Sequence, residues 1–279
     1  MKKAYILYKK EDAERNRVLI GKYFSALEYN GFIPSLVILD GLSRGEILSL
    51  VSDGGIIINR SRDADSARFL EEHGLRVSNP SLLNETANDK LLTYERLKET
   101  VPMLETHLLT DTPALPFPFV AKPAGGHGGK GVTLVNDASE LSLYRAAHHE
   151  KSVIQPVATE KGRDMRVYVV GGKPIFAMLR ESATDFRSNY SLGGTARAIP
   201  LEDLKDDERA IVSAAASRLP LDYAGVDIMR DHGRAVLNEI EDPVGARMLY
   251  TFTDLDPAKM HIDHLISKEN DIWKTQKAF

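Results

Sequence analysis

The stretch Ala224–Arg247, AGVDIMRDHGRAVLNEIEDPVGAR, constrains this chain more than any other. Two apolar runs, Gly225–Met229 and Ala235–Ile240, flank Asp231-His232-Gly233, residues that favour a tight turn. The stretch is therefore predicted to be a β-hairpin. Three carboxylates interrupt its apolar pattern: Asp227 on the first strand, Glu239 and Glu241 on the second. Side chains two apart on a strand share a face, so Glu239 and Glu241 point the same way. Folding the chain back at His232 sets Asp227 roughly opposite Glu239. Like charges on one sheet face repel unless a cation lies among them. An all-oxygen ligand set suits Mg²⁺ shared with substrate phosphates, with Mn²⁺ as the alternative ion. Taken alone, the hairpin reads equally as a metal site or as a solvent-facing strand with ordinary charges.

A chain of 279 residues can hold two or three subdomains and a sizeable core. A net charge of -4 carries no polyanion-binding signature, so nucleic acid is not an expected partner. The absence of cysteine removes disulfides, thiolate zinc sites and cysteine nucleophiles together. The N-terminal apolar run is too short for a signal peptide, and no segment approaches the ~20 apolar residues that span a bilayer. The expectation is a cytoplasmic protein with no membrane partner.

Along the first eighty residues, apolar strands alternate with helices. Strands are predicted at Ala4–Tyr8, Phe32–Leu39 and Gly55–Asn59, and helices at Glu11–Asn30, Gly45–Val51 and Ala64–Glu72. This alternation predicts a parallel, doubly wound α/β unit. Ligands of such sheets sit at the carboxyl ends of the strands, where Tyr8-Lys9-Lys10 and Asn59-Arg60-Ser61 could line a cleft or serve as loop polars. A helical region from Asn79 to about Thr100 contains Lys90. A strand then carries Lys122 into the loop AGGHGGKG, and another strand, Thr133–Val135, follows it. The loop is neither a Walker A loop, since Gly131 stands where Ser or Thr belongs, nor a Rossmann fingerprint, which must open a helix. Strand, glycine loop, strand is the geometry of a flap over phosphates or of a mobile surface hairpin with no ligand, and Lys122 on the preceding strand favours the flap. A helix over Asp137–His148, a strand Ser152–Gln155, and strands over Val167–Val170 and Pro174–Leu179 joined at Gly171-Gly172 come next. Asp164 and Arg166 enter the first of that pair on one face. An amphipathic helix over Leu204–Leu219 precedes the carboxylate hairpin, and a last helix begins at Asp256-Pro257.

This order of parts resembles the ATP-grasp superfamily and, within it, the RimK-like ribosomal-protein glutamate ligase type. The resemblance rests on NDK at Asn88–Lys90, VAKPAGGHGGKGV, GRDMRVYVVGGKPIFAMLR, FRSN at Phe186–Asn189 with GGTARAI after it, and GVDIMR…LNEIE. It implies an α/β N-terminal domain followed by an α+β ATP-grasp fold, two subdomains whose antiparallel sheets clasp ATP. The expected divisions are residues 1–82, 83–153 (with the flap) and 154–279 (with the metal site). It also implies the reaction: ATP phosphorylates a carboxylate, and an amine attacks the acylphosphate.

By the same resemblance, Lys90 and Lys122 bind the phosphates, and the flap residues Gly125, Gly126, Gly128, Gly129 and Lys130 close over them. Gln155, Pro156 and Val157 form the hinge against adenine, and Asp164 joins the nucleotide-binding set. Arg166 and Arg180 stabilise the transferring phosphoryl group, Arg187 and Asn189 approach the reacting centre, and Asp227, Glu239 and Glu241 hold magnesium. Glu241 departs from the asparagine common in the family. Arg247 is an unexpected cation nearby, poised for a substrate anion or for a salt bridge to Asp242 or Glu241. The expected activity is an ADP-forming carboxylate–amine ligase acting on small-molecule or peptide substrates. A phosphotransferase and a non-catalytic nucleotide-binding module are the alternatives, and a homodimer is the base-rate expectation.

Overall fold

The computed structural model describes residues 2–182 and 195–276, with the side chains of 269–276 excepted. Arg187 and Asn189 lie outside the described residues. In chain order, β1 (Lys2–Tyr8), α1 (Lys10–Arg15), α2 (Arg17–Tyr29), β2 (Phe32–Ile38), α3 (Arg44–Val51), β3 (Gly54–Asn59), α4 (Ala64–Glu72) and β4 (Val77–Ser78) build the first unit. Its sheet has the order β2-β1-β3-β4, and every pairing is parallel. The predicted α/β alternation is thus present, with one helix split. Asn16 leaves helical geometry at ψ 22°, and its side chain donates to the Asp12 carbonyl at 2.7 Å, so the chain breaks between α1 and α2.

The helical region after Asn79 is also two helices, α5 (Ser81–Ala87) and α6 (Lys90–Leu97). Asp89 divides them by capping α6, accepting from the backbone N–H groups of Leu91 and Leu92 at 2.9 and 3.1 Å. The second sheet contains β5 (His107–Leu108), β6 (Phe119–Pro123), β7 (Thr133–Val135) and, after α7 (Ala138–Ala147), β8 (Ser152–Pro156). It is antiparallel in the order β5-β8-β6-β7.

The third sheet holds β9 (Arg163–Val170), β10 (Lys173–Glu181), β11 (Thr195–Ile199) and, after α8 (Asp206–Arg218), β12 (Tyr223–Asp231) and β13 (Arg234–Glu241). All its strands are antiparallel, in the order β11-β10-β9-β12-β13. Alternation gives this sheet two apolar faces. Val167, Val169, Ala224 and Val226 pack with Ile211 and Ala215 of α8, while Tyr168, Val170 and Tyr223 pack with Val244, Met248 and Leu249. Met248 and Leu249 belong to α9 (Arg247–Phe252). The last helix, α10 (Pro257–Gln276), buries Ala258, Ile262 and Leu265 against Leu19, Tyr23 and Leu27 of α2. Among the described residues no helix is long and apolar enough to cross a membrane.

Candidate active site

Period-two alternation sends Asp164 and Arg166 of β9 to the same face as Tyr168. Register does the rest. Arg166 lies opposite Asp227, Asp164 opposite Arg180, and Asp227 opposite Glu239. Arg166 donates Nε and Nη2 to the two Asp227 oxygens, both at 2.7 Å, and Nη2 reaches Glu241 Oε2 at 2.8 Å. Arg180 donates Nε to Asp164 Oδ1 at 2.7 Å, and its Nη2 bridges Asp164 at 2.5 Å and Asp227 at 2.6 Å. Burial opposes the charge on Asp227, yet the two guanidiniums outweigh it and hold its carboxyl at about 2. Glu239 has no such arginine among the described residues; burial pushes it up, against the pull of Lys90.

The hairpin reaches this arrangement through a β-bulge. From Asp231↔Arg234 to Ile228↔Leu237 the pairing is regular, but Asp227 faces Glu239 rather than Asn238. Asn238 is the extra residue on β13. Without it, strict alternation from Ala235 and Leu237, both in the core, would drive Glu239 and Glu241 into that core as well. With it, Ile240 turns to the core, and the two glutamates join Asp227. Carboxylate oxygens of the three lie within 4.8 Å of one another, a donor set that fits a hard divalent cation.

A cavity of about 880 Å³ opens beside these carboxylates, lined by residues of both antiparallel sheets. Of the predicted nucleotide residues, Lys90, Lys122, Gly126, Gly128, Gly129, Lys130, Gln155, Pro156, Val157 and Asp164 line it, as do Arg180 and Glu239. Gly125 does not; its position faces the Asn88 carbonyl instead. Arg166 and Glu241 line the neighbouring cleft rather than this cavity.

Lys90 is placed by its own backbone, whose N–H donates to the Ala124 carbonyl at 3.0 Å, at the root of the flap. Its Nζ donates to the Gly126 carbonyl and stands 3.8 Å from Glu239. Lys122 is 7% exposed, and its Nζ sits 3.4 Å from Asn238 Oδ1. Burial, with Lys90 adding to it, lowers Lys122 to about 8, against the pull of Glu239. In the flap, Gly128, Gly129 and Gly131 hold φ of +64°, +74° and +71°, conformations that glycine adopts without strain. The Gln155 side-chain Nε2 donates to the Thr106 hydroxyl at 2.7 Å.

Sequence reasoning missed the apolar lining, including Leu104, Val120, Val132 and Met229, and it missed Asn238. Val120 was within reach, being two residues from Lys122 on one strand. His127 also sits in the flap; burial and the nearby Arg62 and Lys90 hold its ring at about 4, so it is neutral. The expected cleft polars divide. Tyr8 and Arg60 line the second cleft, whereas Asn59 and Ser61 hydrogen-bond each other in a buried turn. A salt bridge from Arg247 to Asp242 or Glu241 is absent. Asp242 is held by Asn79 and Asn84, Glu241 by Arg166, and no carboxylate among the described residues pairs with Arg247.

A family model described as the RimK-like ATP-grasp domain matches residues 87–265. A protein of Mycoplasma genitalium is 29% identical over 272 residues, which span 96% of this chain and 93% of that one. A probable alpha-L-glutamate ligase of Alcanivorax borkumensis is 34% identical over 164 residues, 57% of this chain and 53% of the ligase. Among solved structures, D-alanine–D-alanine ligase of Bacillus anthracis in complex with ATP superposes with a TM-score of 0.72 at 18% identity, over 99% of this chain and 100% of that one.

Proposed function

The chain belongs to the RimK-like ATP-grasp family, and from that premise we propose that it is an ADP-forming ligase joining a carboxylate to an amine through an acylphosphate. The observation that carries this reading is the shared sheet face, where three clustered carboxylates meet Arg166 and Arg180 at the edge of a cavity holding Lys90 and Lys122. Asp227, Glu239 and Glu241 would hold Mg²⁺, which supplies neutralisation of phosphate charge when bound. Lys90, Lys122 and the flap N–H groups hold the phosphates. Leu104, Val120 and Met229 supply apolar surface for a base beside the Gln155–Val157 backbone.

A carboxylate oxygen of the acid attacks the γ-phosphorus, and ADP leaves. Arg166 and Arg180 are placed to neutralise charge on the transferring group, where preorganised cations contribute most. The amine nitrogen then attacks the acyl carbon. Phosphate departs with one former carboxylate oxygen, and the proton lost from the amine nitrogen goes to that phosphate or to water. The chain aligns with only about half of the named ligase relative, so acid and amine are proposed here as classes. Small-molecule and peptide acids and amines both fit the reading. Arg187 and Asn189 are proposed to approach the same centre from the segment between β10 and β11.

The test is incubation of the protein with Mg²⁺, ATP and pooled amino acids, with ADP and free phosphate measured. Release that needs both an acid and an amine supports ligation. Phosphate retained on a product would make the protein a phosphotransferase, and nucleotide binding without any turnover would make it a binding module.

A further inference from the structure

A second cleft, with about 1630 Å³ of empty space, runs from the reacting centre to the N-terminal unit. Gly128 and Arg180 line both it and the nucleotide cavity, so the two are continuous there. Arg15, Arg247 and Thr251 also line it. The lining carries six arginines against two carboxylates, Asp12 and Glu241. Asp12 is taken by Arg62 at 3.0 Å, with Arg15 at 3.8 Å, and Glu241 is taken by Arg166. That leaves Arg60 and Arg247 without an anionic partner in contact among the described residues.

Arg60 is 1% exposed. Its Nη2 donates to the Val244 carbonyl, but Nε and Nη1 have no hydrogen-bond partner among the described residues. The hydroxyls of Tyr8 and Tyr168, both buried and both lining the cleft, also have no hydrogen-bond partner among the described residues. Buried polar groups are ordinarily satisfied, and a fixed cation without an anion is costly. The cleft is thus built with donors that no described residue uses. Arg60 also fixes one wall: through the Val244 carbonyl it holds the turn between Glu241 and Arg247 against the N-terminal unit.

We propose that this cleft binds the acid substrate, that the acid carries a second anionic group remote from its reacting carboxylate, and that Arg247 is the residue that selects for it. The inference rests on the ligase reading. The reacting carboxylate lies at the Gly128–Arg180 end, and the second group, a carboxylate or a phosphate, is held by the unpaired Arg247.

The experiment is calorimetric titration of the protein, saturated with Mg²⁺ and a non-hydrolysable ATP analogue, with three length-matched acids: glutarate, 4-phosphonobutyrate and pentanoate. At least one dianion is expected to bind about tenfold or more tighter than pentanoate, the scale of one charge-assisted contact. Which dianion binds tighter tells carboxylate from phosphate. Arg247→Ala, an exposed position, is expected to erase that preference while leaving pentanoate binding unchanged, and Arg247→Lys to restore part of it. Equal binding of pentanoate, no binding of either dianion, or a preference that survives Arg247→Ala would overturn the inference. ADP formation in a parallel turnover assay separates the outcomes, since a protein that makes ADP yet shows no dianion preference loses only this subsite.

Discussion

Lys122 and Glu239 show how one strand position acquires its chemistry. Lys122 is buried and Glu239 half-buried, and desolvation displaces each from its ordinary charge. Glu239→Gln keeps the shape but loses the charge; turnover should fall by about 100-fold or more, the scale of one removed transition-state contact. Circular dichroism should remain unchanged, and wild-type turnover in this variant would remove Glu239 from the site. Lys122 at about 8 gives a pH signature. A triphosphate favours the charged amine and raises its pKa, so nucleotide binding at pH 8–9 should take up a proton, and affinity should fall as pH rises through 8. Calorimetry in buffers of different ionisation enthalpy measures the uptake. Lys122→Arg, always charged, should abolish it. Single residues were the most legible level: Asp227 and both glutamates could be picked out as charges on an apolar hairpin. Asn238 could not, because its importance comes from the ladder it interrupts.

Elements were legible wherever period and caps agree, as in α4, which runs from its Asp63 cap to its end before Gly74. They were less so where a side chain competes with the helix: Asn16 and Asp89 each split a run that periodicity joined. The bulge on β13 left a trace, since the core positions Ala235, Leu237 and Ile240 break strict alternation. Two predictions belong here. Gly171 turns β9 into β10 at φ +57°, and a Cβ there would lie 2.4 Å from His264 Nδ1. Gly171→Ala should therefore destabilise the fold by roughly 1–3 kcal/mol in urea unfolding. His261 ties α10 to the N-terminal unit, contacting Tyr23 and Ser78 at 2.8 Å each. Burial holds it neutral down to about 3. The unfolded chain binds a proton below about 6.5 that the folded chain refuses, so stability should fall with pH across that window by up to about 1.4 kcal/mol per unit. Melting temperature against pH should show this slope, and His261→Gln should flatten it; an unchanged slope would contradict the assignment.

At the scale of the whole molecule, function is a matter of which faces meet. The nucleotide cavity draws on both antiparallel sheets, and the arginine-lined cleft adds β1, α1 and the loop after β3. The sequence displayed the order of these parts, but not that Arg60 would hold the turn beyond Glu241, a contact spanning 184 residues. Such contacts leave no local pattern to read. The central claim is that a carboxylate is activated as an acylphosphate on the face shared by Asp227, Arg166 and Arg180. The most direct measurement uses an acid labelled with ¹⁸O in its carboxylate, turned over with ATP and an amine, with the released phosphate analysed by mass spectrometry. The account predicts one labelled oxygen in each phosphate and one retained in the amide; phosphate free of label would contradict it.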